Sequence, residues 1–205
     1  MEQKMGRKIT IRSSQHYYHV INRTKNRDWF NLPMDDVWEL FLEKLSLTQL
    51  KWNLEIINFV LMGNHYHIML KTPDANIDKA MHCLNYKISL AIGAKSSRIN
   101  QIFGGRYKWS LITSQRYFLT VYRYIYRNPI RAHICQDIRN YRYSSLNVGE
   151  RWSNLSDKYG KVVIADDQLL QWFNQNEDDQ DVQKIRKGLV KSVYKPVYQR
   201  KNRDL

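Results

Sequence analysis

The sequence contains little cysteine and no long hydrophobic segment. Cys83 and Cys135 are the two cysteines among 205 residues, and they form no CxxC pair. Neither a disulfide framework nor a cysteine zinc site is therefore supported. No apolar run approaches the length that a membrane span needs, and the basic N-terminus lacks an apolar signal region. We expect one cytoplasmic domain with room for an appendage, and no membrane partner.

Acidic residues are few relative to basic residues. The chain has 33 Lys and Arg residues against 19 Asp and Glu, which gives a formal net charge of +14. Such an excess favours a polyanionic partner. Nucleic acid is favoured over an anionic membrane because no strongly amphipathic basic helix is evident in the sequence. The 14 Tyr and 6 Trp residues offer aromatic faces for unpaired bases, although most of them are expected in the core.

The order of the hydrophobic patterns predicts an α+β fold. Alternation of apolar and polar residues, typical of strands, covers residues 16–23, 52–62, 65–70 and 106–113. Apolar residues at helical spacing lie between the first and second of these strands and between the third and fourth. The order strand, helix, hairpin, helix, strand is the βαββαβ pattern of a ferredoxin-like sheet. The second strand ends in a wholly apolar run, which predicts a position in the middle of the sheet.

An additional helix is predicted after the fourth strand, and short helices are predicted over residues 169–173 and 182–193. We expect a main domain over residues 1–147 and a basic, helical C-terminal extension over residues 148–205. The first helix is expected to start at Asp35 or Asp36, and the second helix at Asp74 or Asn76. The additional helix is expected to start at Ser114.

Two histidines occupy one face of the predicted third strand. Gly63-Asn64 is expected to form the tight turn that leads into this strand. Because side chains alternate across a strand, His65 and His67 share one face, while Tyr66 and its alternate neighbours face the core. Two imidazoles side by side on a rigid element suit a divalent metal. The alternative is a pair of ordinary polar residues on a solvated face.

The additional helix carries a tyrosine and an amide on a shared face. Tyr124 and Asn128 are four residues apart, about 40° apart in projection, whereas Tyr122 and Tyr126 point roughly 120° and 160° away from Asn128. Pro129 should end or kink the helix at Asn128. The alternative is that these tyrosines are packing residues and that Asn128 only stops the helix.

Together the two motifs resemble a known family. The segment Gly63–His67 matches the signature of the HUH endonucleases, and Tyr122–Ala132 is similar to the catalytic helix of single-tyrosine transposases. The similarity is greatest to the REP-associated tyrosine transposases. Tyr141–Ser145 and Tyr18–Ile21 also fit that pattern, so the resemblance covers about Gln15–Leu146.

The resemblance implies a ferredoxin-like nuclease domain that cuts and rejoins single-stranded DNA at hairpins formed by short palindromic repeats. It implies that His65 and His67 are metal ligands, that Asn128 is the third ligand, and that Tyr124 is the nucleophile. Tyr124 would form a covalent 5′-phosphotyrosine and leave a free 3′-hydroxyl. The mixed nitrogen and oxygen donors suit Mn²⁺ or Mg²⁺. No nucleotide cofactor is needed, in agreement with the absence of a GxxxxGK[ST] loop.

Basic residues supply the candidate DNA contacts. The candidates are Arg7, Lys8, Arg12, Arg98, Arg106, Lys108, Arg123, Arg127 and Arg131. For each of them taken singly, a solvated surface position is the favoured interpretation. The resemblance favours a monomer over the dimers of related transposases, and it implies a nucleoid-associated protein in the cytoplasm.

Two other functions fit parts of the pattern. A ferredoxin-like sheet can bind single-stranded nucleic acid without catalysis, but no RNP-like aromatic run is present in the strands. A metallohydrolase could use the histidines to activate water, which would leave Tyr124 without a role. The remaining histidines are expected to be ordinary. His19 is a weak exception, because its strand can lie next to the site.

Overall fold

A four-stranded antiparallel sheet lies at the centre of the protein. The computed structural model describes residues 9–96, 98, 100–158 and 160–195. The strands run in the order β2-β3-β1-β4. Their bounds are β1 Tyr17–Arg23, β2 Glu55–Met62, β3 His65–Lys71 and β4 Lys108–Ile112. Helix α1 (Met34–Trp52) joins β1 to β2, and α2 (Ile77–Lys95) joins β3 to β4. The predicted βαββαβ ferredoxin-like sheet is confirmed.

The alternation of β3 divides the interior into two clusters. Tyr66, Ile68 and Leu70 are fully buried in a cluster with residues of α1 and α2. Met69 points to the opposite face, which is covered by α3 (Gln115–Tyr126) and the short α4 (Asn128–Arg131). The predicted core face of this strand is confirmed. The histidine face therefore meets the additional helix.

The predicted central position of β2 is wrong, because β2 lies at one side of the sheet. Its apolar side chains are buried by α1 on one face and α3 on the other. The segment 143–145 runs along its outer backbone, where the Leu61 N–H donates to the Tyr143 carbonyl at 2.9 Å. The Phe59 N–H donates to Ser145 Oγ at 3.0 Å. An apolar run signals burial on both faces, but it does not say whether a strand or a loop lies beside it.

The expected helix start is corrected for α1, whereas the starts at Asn76 and Ser114 are confirmed in position. Asp35 and Asp36 lie inside the first turn of α1, where negative charge complements the helix dipole. Asn76 precedes α2, but its side chain donates to the Trp52 carbonyl instead of capping. Ser114 caps α3 as expected, because its Oγ accepts the Tyr117 N–H. Helix α1 also continues through Trp52, so β2 begins three residues later than predicted.

The residues after the predicted main domain form three helices that pack on α3. Their bounds are α5 Gly160–Ala165, α6 Asp167–Asn174 and α7 Asp179–Leu189. Phe173 and Leu189 share a hydrophobic cluster with Val121 and Ile125 of α3. Beyond α7 the chain runs beside β4, where the Leu111 N–H donates to the Ser192 carbonyl. The division at residue 147 stays a prediction. No helix of the described residues is long and apolar enough to cross a membrane.

Candidate active site

The predicted histidine pair lies on the sheet face beneath α3. The His65 and His67 ring centroids are 5.2 Å apart. His67 is 3% exposed and His65 is half-buried. The register of the neighbouring strand places Ile21 opposite His67 and Arg23 opposite His65. Four side chains from two central strands thus form a rigid floor for the site.

Helix α3 brings Tyr124 to this floor. The Tyr124 ring stands edge-on to the His67 ring, with 5.8 Å between centroids. Helix α3 ends at Tyr126, and α4 begins at Asn128, directly before Pro129. The predicted helix break is confirmed. A cleft of about 380 Å³ is lined by His65, His67, Tyr124 and Asn128 of one chain, together with Ile21, Arg23, Met62, Arg131, Ala132 and Arg186.

The other tyrosines of α3 face away from the cleft, as their helical positions predicted. The hydroxyls of Tyr122 and Tyr126 both donate to the buried Asp157 carboxylate. Tyr126 also shares a hydrogen bond with Ser145. Burial raises the pKa of Tyr126 well above its ordinary value, and the nearby Tyr122 and Asp157 raise it further. These two phenols tie α3 to Asp157, which precedes α5. Tyr124 alone of the three lines the cleft.

Neighbouring groups fix the orientation of two candidate ligands. The Asn64 Nδ2 donates to the Arg27 carbonyl at 2.7 Å, which turns Asn64 Oδ1 toward His65 Nδ1, 2.7 Å away. His65 therefore carries its proton on Nδ1 and keeps the Nε2 lone pair free. The Asn128 Nδ2 donates to the Tyr124 and Ile125 carbonyls, so Oδ1 is the end of that amide left for a ligand.

His19 belongs to the site, although its spacing in the sequence gave no indication beyond its strand. Its Nε2 lies 2.9 Å from His67 Nδ1, and the two rings are stacked. His19 is 2% exposed. One of these two nitrogens carries the shared proton, and that choice decides whether His67 Nε2 is a donor or a free lone pair.

All three imidazoles are held in the neutral form near pH 7. Burial lowers the pKa of His19 to about 3. Burial, with the positive charge of Arg23, lowers the pKa of His65 to about 4. Burial and the neighbouring His19 and His65 lower the pKa of His67 well below its usual range. Neutral imidazoles have lone pairs available for a cation.

The donor set fits a divalent cation that keeps open coordination positions. The described residues contain no group of three His, Cys, Asp or Glu side chains arranged for a metal ion. A cation here would therefore rely on two imidazoles, on the Asn128 amide oxygen, and on oxygens from water or phosphate. That mixture suits Mn²⁺ or Mg²⁺ and does not suit a closed structural zinc site.

Three of the predicted DNA contacts form an ion cluster on one carboxylate. Arg123, Arg127 and Arg131 lie four residues apart, and their guanidinium groups contact Glu177 at 2.7, 3.0 and 2.6 Å. Burial alone would raise the pKa of the Glu177 carboxyl, but the arginines, Arg131 most strongly, lower it overall. Arg131 also stacks over the Tyr124 ring at 4.4 Å. The single carboxylate therefore offsets one of the three positive charges, and all three guanidinium groups are held in ion pairs within the protein. A DNA-binding role for these arginines stays a prediction.

The other predicted contacts that the structure describes do not line the cleft, and two of them line a groove beside it. Arg12 pairs with Asp78, Arg98 pairs with Asp28, and Arg106 donates to Thr10. Arg106 and Lys108 are exposed and line a groove of about 750 Å³ that continues from Tyr124 across β4. Arg7 and Lys8 lie outside the described residues. The role of each in DNA binding stays a prediction.

Two arginines of the cleft were not among the predicted contacts. Arg23 ends β1 opposite His65, and Arg186 projects from α7. Burial lowers the pKa of Arg23, and the positive charges of Arg27 and Arg186 lower it further. The register of β1 against the histidine strand could have indicated Arg23. Nothing in the sequence indicates Arg186, because its position depends on how α7 docks.

Comparison with known proteins gives a family and a fold. The family model described as "Transposase IS200 like" matches residues 12–128. No curated protein sequence matches the chain. The solved structure of the REP-associated tyrosine transposase bound to a REP hairpin is similar to this chain with a TM-score of 0.61 and 14% identity, over 85% of this chain and 92% of that one. A candidate transposase from Deinococcus radiodurans R1 has a TM-score of 0.41 and 19% identity, over 60% and 95%.

Proposed function

The chain belongs to the family of IS200-like transposases, and we propose that it is a metal-dependent endonuclease and strand transferase for single-stranded DNA hairpins formed by repeated palindromes. The observation that supports this function best is the cleft in which Tyr124 and Asn128 face His65 and His67. The transposase of similar fold was solved with a REP hairpin, which supports hairpin DNA as the substrate.

The proposed reaction replaces one phosphate ester by another. The Tyr124 hydroxyl oxygen attacks the phosphorus and releases its proton to solvent, and a bond to the 5′-phosphate forms. The bond to the 3′ oxygen breaks, and that oxygen takes up a proton to become a free 3′-hydroxyl. Because the tyrosine ester conserves the bond energy, a 3′-hydroxyl can reverse the step without a nucleotide cofactor.

His65, His67 and Asn128 would hold Mn²⁺ or Mg²⁺ in this scheme. The cation, when bound, would offset the negative charge that accumulates on the non-bridging oxygens. The protein's own contribution is to place Tyr124 beside the two imidazoles and to fix the donor atoms through Asn64 and the helix carbonyls. Enzymatic phosphoryl transfer depends mainly on such positioning and on electrostatic stabilisation.

A monomer acting at the nucleoid is the form of the protein that we propose. All four site residues come from one chain, so no residue from a second copy is required to complete the cleft. The net charge of +14 supports association with DNA in general. Adduct formation that stays proportional to protein concentration over a wide range would support a monomer.

A denaturing-gel assay tests the function. The wild-type protein is incubated with end-labelled single-stranded hairpin DNA and Mn²⁺ or Mg²⁺, and a denaturation-resistant protein–DNA adduct is expected. Tyr124→Phe should abolish the adduct, whereas the control Tyr117→Phe on the same helix should keep it. Cleavage that leaves no adduct and survives Tyr124→Phe would point to hydrolysis by water. Tight binding without cleavage under either metal would point to a binding module.

A further inference from the structure

Two guanidinium groups in the cleft have no carboxylate partner among the described residues. Arg23 comes from β1 and Arg186 from α7, and both line the cavity that contains Tyr124. Their neighbour Arg131 differs, because it is held at 2.6 Å by Glu177, a carboxylate that it shares with Arg123 and Arg127. Among the described residues, Arg23 and Arg186 are therefore the guanidinium groups of the cleft that no ion pair holds in place.

Both guanidinium groups line the same cavity. Arg23 is half-buried, and partial burial removes part of the water that would screen its charge. Two like charges in a partly dehydrated cavity favour an anion placed between them. A guanidinium also offers paired N–H donors that match two phosphate oxygens, a geometry that lysine lacks.

Arg186 lies where three cavities meet. It lines the catalytic cleft, the groove that continues across β4, and a cavity of about 900 Å³ between α4 and α7. A DNA strand that extends from the cleft into either neighbouring cavity would therefore lie near this exposed side chain. Arg23 lies on the floor strand of the cleft, opposite His65.

We propose that Arg23 and Arg186 bind the phosphate that Tyr124 attacks, so that α7 of the C-terminal extension completes the active site. This inference rests on the proposed function, and it names the groups that contact the scissile phosphodiester. The two guanidinium groups donate to its non-bridging oxygens and stabilise the charge that develops there during attack. The three arginines on Glu177 are, in this scheme, mainly structural.

Single-turnover adduct formation tests the proposal, with a neighbouring lysine as the control for each arginine. Arg23→Ala and Arg186→Ala should each slow adduct formation about 10²- to 10³-fold, the usual effect of removing one donor to a developing oxyanion. Arg23→Lys and Arg186→Lys should recover part of the rate, because they keep the charge and lose the paired donors. The controls Lys25→Ala and Lys187→Ala should keep the wild-type rate. Thermal unfolding shows that each variant is folded.

The salt dependence of binding gives a second readout that needs no catalysis. Affinity for a single-stranded oligonucleotide is measured in EDTA between low and moderate salt. Each arginine-to-alanine variant should lower the slope of log K against log salt by about 0.7, the value for one phosphate contact on a single strand. Rates and slopes like those of the lysine controls would overturn the inference. Absence of any wild-type adduct would instead count against the proposed function, and the slopes would still decide whether the arginines bind phosphate.

Discussion

His67 can present only one ring nitrogen to the cleft, because the other lies 2.9 Å from His19. A metal ligand needs a lone pair on the nitrogen that faces the cation. His67 Nε2 has that lone pair if Nδ1 carries the proton and donates it to His19 Nε2. We therefore predict that His19 acts as a positioning residue for His67, comparable to the outer groups that orient metal-bound histidines in general.

We predict that removing this acceptor weakens metal binding. His19→Phe keeps a ring in the buried position but cannot accept the proton, so the affinity for Mn²⁺ should fall about 10- to 100-fold. His19→Gln offers a carbonyl oxygen and should recover part of that loss. The measurement is a Mn²⁺ titration followed by electron paramagnetic resonance. His16→Phe, outside the cleft lining, is the control, and equal affinities for His19→Phe and wild type would contradict this role.

The three buried imidazoles also predict acid sensitivity of the metal-free protein. Burial lowers the pKa of His19 to about 3 and that of His65 to about 4 in the folded protein. Below pH 6.5 these histidines therefore bind protons in the unfolded chain but stay neutral in the native state. The free energy of unfolding should be fully retained above pH 6.5. It should then fall toward pH 4, by up to about 1.4 kcal/mol per pH unit for each histidine.

Urea unfolding in EDTA between pH 7 and 4.5 measures this slope, in a window above most of the carboxyl titration. His19→Gln removes one buried histidine and should make the slope shallower. A slope that is the same in the variant and the wild type would show that His19 does not contribute.

The site residues differ in how far the sequence could reveal them. His65 with His67, and Tyr124 with Asn128, follow from the periods of a strand and a helix, which act over two to four residues. His19 lies 48 positions from His67, and Arg186 lies on a helix that docks from the far end of the chain. Such proximity depends on strand register and tertiary packing, which local periodicity does not encode.

At the scale of elements, the environment of each strand and helix depends on the segments that pack against it. The apolar run of β2 was expected between two strands, yet a loop and two helices bury it. Arg123, Arg127 and Arg131 are predicted DNA contacts, and the segment after α6 supplies Glu177, which pairs with all three within the protein. In both cases the sequence shows correctly that a partner is needed. It does not identify which part of the chain provides that partner.

The end of α7 packs so closely on the following segment that a glycine is required. A Cβ atom added to Gly188 would lie 2.8 Å from both the Lys195 carbonyl oxygen and the Tyr194 ring. Because Tyr194 is fully buried, the ring has little room to move. Gly188 therefore allows the chain to turn back and lie beside β4.

We predict that Gly188→Ala releases this segment from β4. The overpacking should cost about 1–3 kcal/mol, and the Leu111 amide hydrogen, which donates to Ser192, should exchange with solvent faster. Hydrogen–deuterium exchange measures the second effect directly. Gly93→Ala within α2 is the matched control, because its Cβ would meet no atom within 4 Å. Unchanged protection of Leu111 in Gly188→Ala would contradict the prediction.

At the scale of the whole molecule, α3 depends on the residues that follow the predicted main domain. Asp157 accepts hydrogen bonds from two buried phenols of α3. Glu177 binds Arg123 of α3 and also Arg127 and Arg131, which follow α3. A chain that ends at Asn147 keeps the buried donors and loses both acceptors. Unpartnered charges in partly buried positions are strongly destabilising.

We predict that truncation after Asn147 lowers the free energy of unfolding by at least about 3–5 kcal/mol. Truncation after Lys195 keeps every one of these contacts and is the control. Urea unfolding of both chains gives the comparison. A chain ending at Asn147 that is as stable as the control would show that the main domain is energetically independent.

The two outer strands of the sheet share a feature that affects contacts between copies of the protein. Phe59 and Leu61 on β2 and Leu111 on β4 have outward backbone groups that are already bonded to segments of the same chain. An exposed strand edge is a template on which another chain can add a strand, and this is a common route to aggregation. At these positions the backbone groups that could bind an added strand are already hydrogen-bonded within the chain. Copies of the protein at high local concentration can therefore touch through their surfaces without joining their sheets at these positions.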